Sequence, residues 1–338
     1  MKNSPEVLKL MDLIQGDLPL CAKPFSKIAG QIQKSEDWVI EEIEDLKKSG
    51  VLSFLGPIYD TKAVGYRTSL VAIDCEDIEK MAEIVSSYPG VSHCYERNDE
   101  LNLWFTLAVP PSQGLAFVVK EMVQRSELNC NRILLLPSLK RYKLRVHFAM
   151  LAEQSCNSKR AVSRKLAKKV QFGSRSVETL RIVQDGIPLC PRPFFQLMGN
   201  TEGEAELLER LKEDFRNGFI RRISALMKHR RMGFTANAMA LWSVTPNRAD
   251  EVGEKLASSD KVSHCYRRRR APTWNFSHYA MVHGRSTEEV ETEIRQLGKN
   301  IGVDAGKILY SIKEFKKRRL KLYTTDYETW LDERKMVR

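Results

Sequence analysis

At 338 residues the chain is long enough for two halves of ordinary domain size, each able to bury a core. With 42% hydrophobic and 29% charged residues it reads as globular and water-soluble, and no apolar run approaches the ~20 residues needed to cross a bilayer. A formal charge of +12 argues for an anionic partner, either nucleic acid or a small polyanion held in a pocket.

In chain order, the apolar spacing of Val7, Leu8, Leu10, Met11 and Ile14 predicts a helix over 5–15, closed by a turn at Gly16-Asp17. Pro24 suits the first turn of a second helix through Ile32. Ser35 caps a third, with Trp38, Val39, Ile40, Ile43 and Leu46 inward and Gly50 ending it. Residues 51–55 and 58–59 then read as a short hairpin around Gly56-Pro57. Three helices and such a wing predict a winged helix-turn-helix. After Gly65 the period changes: strand 66–74, helix 76–88, strands 90–97 and 101–109, helix 112–126 and strand 133–148 give a ferredoxin-like β-α-β-β-α-β order. A Lys/Arg-rich stretch follows (Lys159, Arg160, Arg164, Lys165, Lys168, Lys169) and reads as a linker.

The layout then repeats. Leu18-Pro19-Leu20-Cys21 returns as Ile187-Pro188-Leu189-Cys190, Gly65-Tyr66-Arg67-Thr68 as Gly233-Phe234-Thr235-Ala236, and Val91-Ser92-His93-Cys94-Tyr95 as Val262-Ser263-His264-Cys265-Tyr266. Three anchors in one order mean a duplicated and fused folding unit. The expected divisions are 1–62 and 177–231 (winged helix-turn-helix), 63–152 and 232–338 (ferredoxin-like), with a basic linker at 153–176. The fold class is α+β, two tandem units packed as a pseudo-dimer through their sheets; further homo-oligomerisation stays open. Seven cysteines without a CxxC pair suit reduced, buried thiols, and no signal peptide stands out at the start, so a cytoplasmic location is expected.

A winged helix followed by a ferredoxin-like domain resembles the AsnC/Lrp family of transcription regulators, which makes a ligand-sensing, DNA-binding regulator the alternative reading. The charges oppose it. A recognition helix needs cations against phosphate, yet the third helix carries Glu36, Asp37, Glu41, Glu42, Glu44 and Asp45, and its counterpart Glu202, Glu204, Glu206, Glu209, Glu213 and Asp214. Specific DNA binding is therefore not expected. The positive charge lies in the linker, the second wing, Arg267 to Arg270 and the last strands.

Side chains alternate along a strand, so His93, Tyr95 and Arg97 project together, as do His264, Tyr266 and Arg268. Each face offers a group that titrates near neutral pH, an aromatic hydroxyl and a fixed cation. A solvated strand face is the bland alternative for one copy; retention in both halves favours function. His229 lies in Lys228-His229-Arg230-Arg231, and His278 and His283 on the strand after the second trio. No pair has compact metal-ligand spacing, so no metal site is assigned. A single axial histidine to a haem-type iron needs no such motif and stays open.

Ser92-His93-Cys94-Tyr95-Glu96-Arg97 followed by Leu101-Asn102-Leu103-Trp104-Phe105-Thr106 resembles one subunit of the siroheme decarboxylases. Lys228-His229-Arg230-Arg231, Gly233-Phe234-Thr235-Ala236, Ser263-His264-Cys265-Tyr266 and Met281-Val282-His283-Gly284-Arg285 resemble the partner subunit, and the likeness covers about 5–150 and 177–330. The resemblance implies removal of carboxyl groups from two acetate side chains of siroheme, giving didecarboxysiroheme for alternative haem or haem d1 synthesis. It implies siroheme as the partner, whose iron belongs to the substrate, and no further cofactor. His264 and His93 are then the expected proton donors, and Tyr95, Arg97, His229, Arg230, Arg231, Tyr266, Arg267 and Arg268 the expected substrate-binding residues. One position departs: the resembled subunits commonly carry a second histidine where this chain has Asp99. An ionised aspartate is a poor acid and repels carboxylates, so the first-half pocket is expected to be impaired and His264 to dominate.

Overall fold

The computed structural model describes residues 4–144, 170–227 and 236–333. These form two compact units, and each draws on both copies of the repeat.

One unit takes residues 4–65 and 170–227. In the first copy, α1 (Pro5–Gln15) starts where the Ser4 side chain accepts a hydrogen bond from the Val7 amide, and α3 (Glu36–Lys48) where Ser35 accepts from Trp38. Between them lies α2 (Pro24–Ile32), opened by its proline. Strand β1 (Leu52–Tyr59) follows. The six-residue α7 (Pro193–Met198) and the long α8 (Thr201–Arg216, capped by Asn200) repeat α2 and α3, after α6 (Ser174–Val183) and before β6 (Ile220–Met227).

The expected wing hairpin does not form. Instead β1 runs straight through Gly56-Pro57 and pairs antiparallel with β6 of the other copy, Gly56 opposite Ser224 and Pro57 opposite Ile223. A two-stranded ribbon leaves each strand one open edge, which tolerates a proline that has no N–H to give. Gly56 is needed for close approach, since a Cβ there would lie 2.8 Å from the Phe54 ring and 3.2 Å from Gly186 Cα. On α8 the acidic face is thinner than its composition suggests: Glu204 and Asp214 turn inward. Asp214 accepts from Ser176 (2.7 Å) and Tyr59 (3.4 Å), and burial pushes its carboxyl up to about 6.

The other unit takes residues 66–144 and 236–333. Each copy supplies β-α-β-β-α-β. The first runs β2 (Arg67–Cys75), α4 (Ile78–Ser87), β3 (Val91–Arg97), β4 (Leu103–Val109), α5 (Leu115–Ser126) and β5 (Cys130–Leu144). The second runs β7 (Ala236–Trp242), α9 (Ala249–Ser258), β8 (Val262–Arg268), β9 (His278–Gly284), α10 (Thr287–Ile301) and β10 (Lys307–Lys317). The eight strands close into one barrel, β10-β3-β4-β2-β5-β8-β9-β7.

Closure is achieved by strand exchange. The first part of β5 pairs with β2 of its own copy, Ser69 opposite Pro137, and its remainder with β8 of the other, from Ser138–Arg268 to Leu144–His264. Likewise β10 pairs first with β7, Lys307 to Tyr310, then with β3, from Ser311–Arg97 to Lys317–His93. Each histidine strand is therefore bordered by the last strand of the opposite copy, and neither sheet keeps an open edge.

The barrel wall has two faces. In the second copy one packs on α9 and α10 through Ala238, Ala240, Val252, Leu256, Cys265, Val282, Ile294 and Leu297. The other carries a separate cluster drawn from both copies, including Leu70, Ala72, Trp104, Leu136, Met239, Leu241, Tyr279 and Leu309. At ~1.5–3 kcal/mol per buried large apolar side chain, both clusters contribute strongly to stability. Cys94 and Cys265 are fully buried, and burial pushes both thiols up to about 12. A last helix, α11 (Asp326–Asp332), sets Tyr327 and Trp330 edge-on against Tyr88 at ring separations of 5.7 and 5.0 Å.

Candidate active site

Register decides which way the two trios point. Tyr95 is paired with Trp104 and Tyr266 with Tyr279, and directly opposed residues share a face. Trp104 and Tyr279 belong to the inner cluster, so both trios face the barrel interior.

Each histidine is preceded by a β-bulge. Val91 pairs with Leu107 and His93 with Thr106, so Ser92 is an extra residue; Val262 pairs with Val282 and His264 with Met281, so Ser263 is its counterpart. A bulge lets two successive side chains share a face and is often used to re-aim a functional group. Here it turns serine and histidine to the same side. Ser92 Oγ lies 2.9 Å from His93 Nδ1 and 2.6 Å from Thr106 Oγ1. Ser263 Oγ lies 2.7 Å from His264 Nδ1 and 2.6 Å from His283 Nε2. A hydroxyl at Nδ1 fixes the ring, and leaves Nε2 as the atom on its far side.

Behind the histidines sit the arginines. Arg97 is 6% exposed and donates through Nη1 to Leu309 O at 2.8 Å, with its guanidinium 5.5 Å from the Tyr95 ring. Arg268 donates to Leu136 O at 2.8 Å and lies 4.8 and 5.5 Å from the Tyr266 and Tyr279 rings. In both, Nε is shielded from solvent and has no hydrogen-bond partner. Burial lowers Arg97 to about 10, which leaves it protonated at neutral pH, and moves Arg268 the same way. His93 and His283 are each held down at about 4, mainly by burial and further by the Lys317 ammonium. One cation on β10 thus acts on histidines of both copies.

The structure therefore brings together His93, Tyr95 and Arg97, and separately His264, Tyr266, Arg268 and His283. It does not bring Arg267 with them. Arg267 faces the opposite side of β8, where its charge acts on Tyr142, Asp250 and His278, as alternation next to Arg268 requires. His278 is fully buried there, Nε2 2.8 Å from Ala249 O and its ring stacked on Tyr142. His229, Arg230 and Arg231 lie outside the described residues. Asp99 differs from expectation: its carboxylate is paired with Lys307 and accepts from the Leu101 amide at 3.2 Å. It is a neutralised tie between the β3–β4 turn and β10. Among the described residues no group of three or more His, Cys, Asp or Glu is placed to hold a metal ion, and no helix is long and apolar enough to cross a membrane.

Strand alternation alone does not mark Ser92, Ser263 or Thr106. The repeated Val-Ser-His-Cys-Tyr string was the available signal, since it keeps the serine as well as the trio.

This arrangement has known counterparts. Residues 63–143 and 231–316 match the model of an AsnC-like ligand binding domain, and residues 8–52 that of a siroheme decarboxylase NirDL-like HTH domain. The chain is 34% identical over 329 residues to a siroheme decarboxylase of Hydrogenobacter thermophilus, covering 96% of this chain and 97% of that protein. It is 30% identical over 320 residues to a siroheme decarboxylase NirDL subunit of Paracoccus pantotrophus, covering 92% and 95%. Crystal structures of the siroheme decarboxylase NirDL, one in co-complex with an iron-uroporphyrin III analogue, match with a TM-score of 0.77 at 31% identity, over 98% of this chain and 99% of that one.

Proposed function

Because this chain belongs to the siroheme decarboxylase family, we propose that it removes the carboxyl groups of two acetate side chains of siroheme, giving didecarboxysiroheme. The observation that carries the chemistry is the duplicated inner face, in which a hydroxyl-oriented imidazole, a tyrosine and an arginine recur on β3 and β8.

Siroheme is a polycarboxylate, and a guanidinium fork is the side chain best shaped to pair with a carboxylate. Arg97 and Arg268 each keep an unspent, shielded Nε–H on their strands. These two arginines hold substrate carboxylates, with Tyr95 and Tyr266 beside them. Arg267 has no part in this, being on the other face. In the reaction the bond between methylene and carboxylate carbons breaks and CO2 leaves. The electron pair stays on the methylene carbon and spreads into the macrocycle. His93 or His264 gives the proton that turns this carbon into a methyl. General acid catalysis of this kind contributes ~10²–10⁴ in rate, and apolar walls such as Trp104 and Met281 weaken solvation of the departing carboxylate. The iron comes with the substrate, and no added cofactor is required.

Anaerobic incubation with siroheme tests the proposal. A shift of the Soret band on binding, followed by a product two CO2 lighter, is expected. Binding without mass loss would leave a tetrapyrrole-binding protein and remove the enzyme.

A further inference from the structure

The two histidine sites are built alike except at two positions on the neighbouring strand. In the first, the serine behind the imidazole ends on a hydroxyl, Thr106. In the second it ends on a second imidazole. Register gives the reason: Thr106 opposes His93 and Met281 opposes His264, so two residues further on Ala108 and His283 are equivalent. The first copy thus has a methyl where the second has a buried histidine.

Building on the proposed decarboxylation, we propose that His283, Ser263 and His264 form a proton relay, in which His283 supplies through the serine the proton that His264 gives to the substrate carbon. A hydroxyl between two ring nitrogens, at 2.7 and 2.6 Å, can donate to one only while accepting from the other. The two imidazoles are therefore coupled. With substrate carboxylates bound, the pair carries one extra proton, held as a cation on His283. When His264 Nε2–H passes to the methylene carbon, His264 Nδ1 takes the Ser263 hydroxyl proton. Ser263 Oγ in turn takes the Nε2 proton of His283. All three side chains end neutral, and solvent returns one proton after the product leaves. No imidazolate is formed. Among the described residues, the groups on the same face around this pair include Tyr266 and, further along, Arg268 on β8, Met281 on β9, Arg141 and Leu144 on β5, Asn237 on β7 and Lys317 on β10. Lys317 opposes the extra proton in the free protein, and negative substrate carboxylates offset that cation. The relay is therefore armed by binding.

Ser263 is a positioning residue here, and its replacement separates relay from structure. Ser263→Ala should lower kcat about 10–100-fold with KM nearly unchanged, Ser263→Thr should restore most of it, and His283→Gln should match the alanine variant. The pH profile of kcat should shift in Ser263→Ala and remain in Ser263→Thr. Independently of turnover, ¹⁵N spectra of labelled histidine should show His264 changing its tautomer balance in Ser263→Ala but not in Ser263→Thr. Unchanged kcat and tautomer in Ser263→Ala, or an equal fall in both serine variants, would overturn the relay. If the unmodified chain leaves siroheme intact, the functional reading fails instead, and the ¹⁵N comparison still decides whether the three side chains share a proton.

Discussion

Replacing Arg268 by Met keeps the aliphatic stem and removes the fork. In the free protein the change deletes one charged hydrogen bond to Leu136 O, worth ~1.5–3 kcal/mol, and contact with two tyrosine rings, worth ~0.5–2 kcal/mol. Against this, a buried guanidinium no longer has to be desolvated, which returns several kcal/mol. The net effect on stability should therefore be small, about 2 kcal/mol or less in urea unfolding. The effect on substrate has no such offset, because in the proposed role of Arg268 the carboxylate loses its partner. Siroheme binding should weaken by ~1.5–3 kcal/mol, roughly 10–150-fold. A porphyrin lacking the acetates serves as control, and its affinity should hardly change. Both are read by absorbance titration. Equal weakening of the two ligands would make Arg268 purely architectural, and no weakening for siroheme would remove it from the site.

Other outcomes follow from the same geometry. His264→Ala should cost about 10²–10⁴ in turnover with siroheme binding largely kept, and more than His93→Ala, because only His264 is backed by a second imidazole; abolished turnover in His93→Ala with normal turnover in His264→Ala would assign the chemistry to the other half. Apo stability should fall as pH drops from about 6.5 toward 4, since the unfolded chain binds protons that His93 and His283, held near 4, refuse; each should cost ~2 kcal/mol between pH 7 and 5. Asp214, raised to about 6 in the other unit, works the opposite way, so the comparison is made between the natural chain and His283→Asn, whose slope should be shallower. The protein should leave no sequence-specific footprint on duplex DNA at sub-micromolar concentration and physiological salt, given the outward acidic residues of α3 and α8.

What was legible in the sequence was local. The helix over 5–15, the capped helix at Ser35, the β-α-β-β-α-β order and the shared face of His93, Tyr95 and Arg97 all follow from spacing within one segment. Alternation also sets Arg267 opposite Arg268, which the density of charge at 267–270 obscured. Partners distant in the chain were not legible. Gly56-Pro57 has the composition of a turn, and only pairing with β6 makes it strand. The crossing of β5 and β10 between copies depends on closing a barrel, which no window of either strand reveals. Asp99 looked like a lost acid because Lys307, its counter-ion, lies 208 residues away. The bulges at Ser92 and Ser263 need both strands to define them, and α11 carries too few apolar positions to announce a helix.

The most direct test of the account is the mass of the product formed from siroheme by the purified chain in D2O under anaerobic conditions. Didecarboxysiroheme with one solvent deuterium in each of the two new methyl groups is the predicted result, because the proposed proton donors are imidazoles that exchange with solvent. Siroheme recovered unchanged, or methyls formed without deuterium, would contradict it.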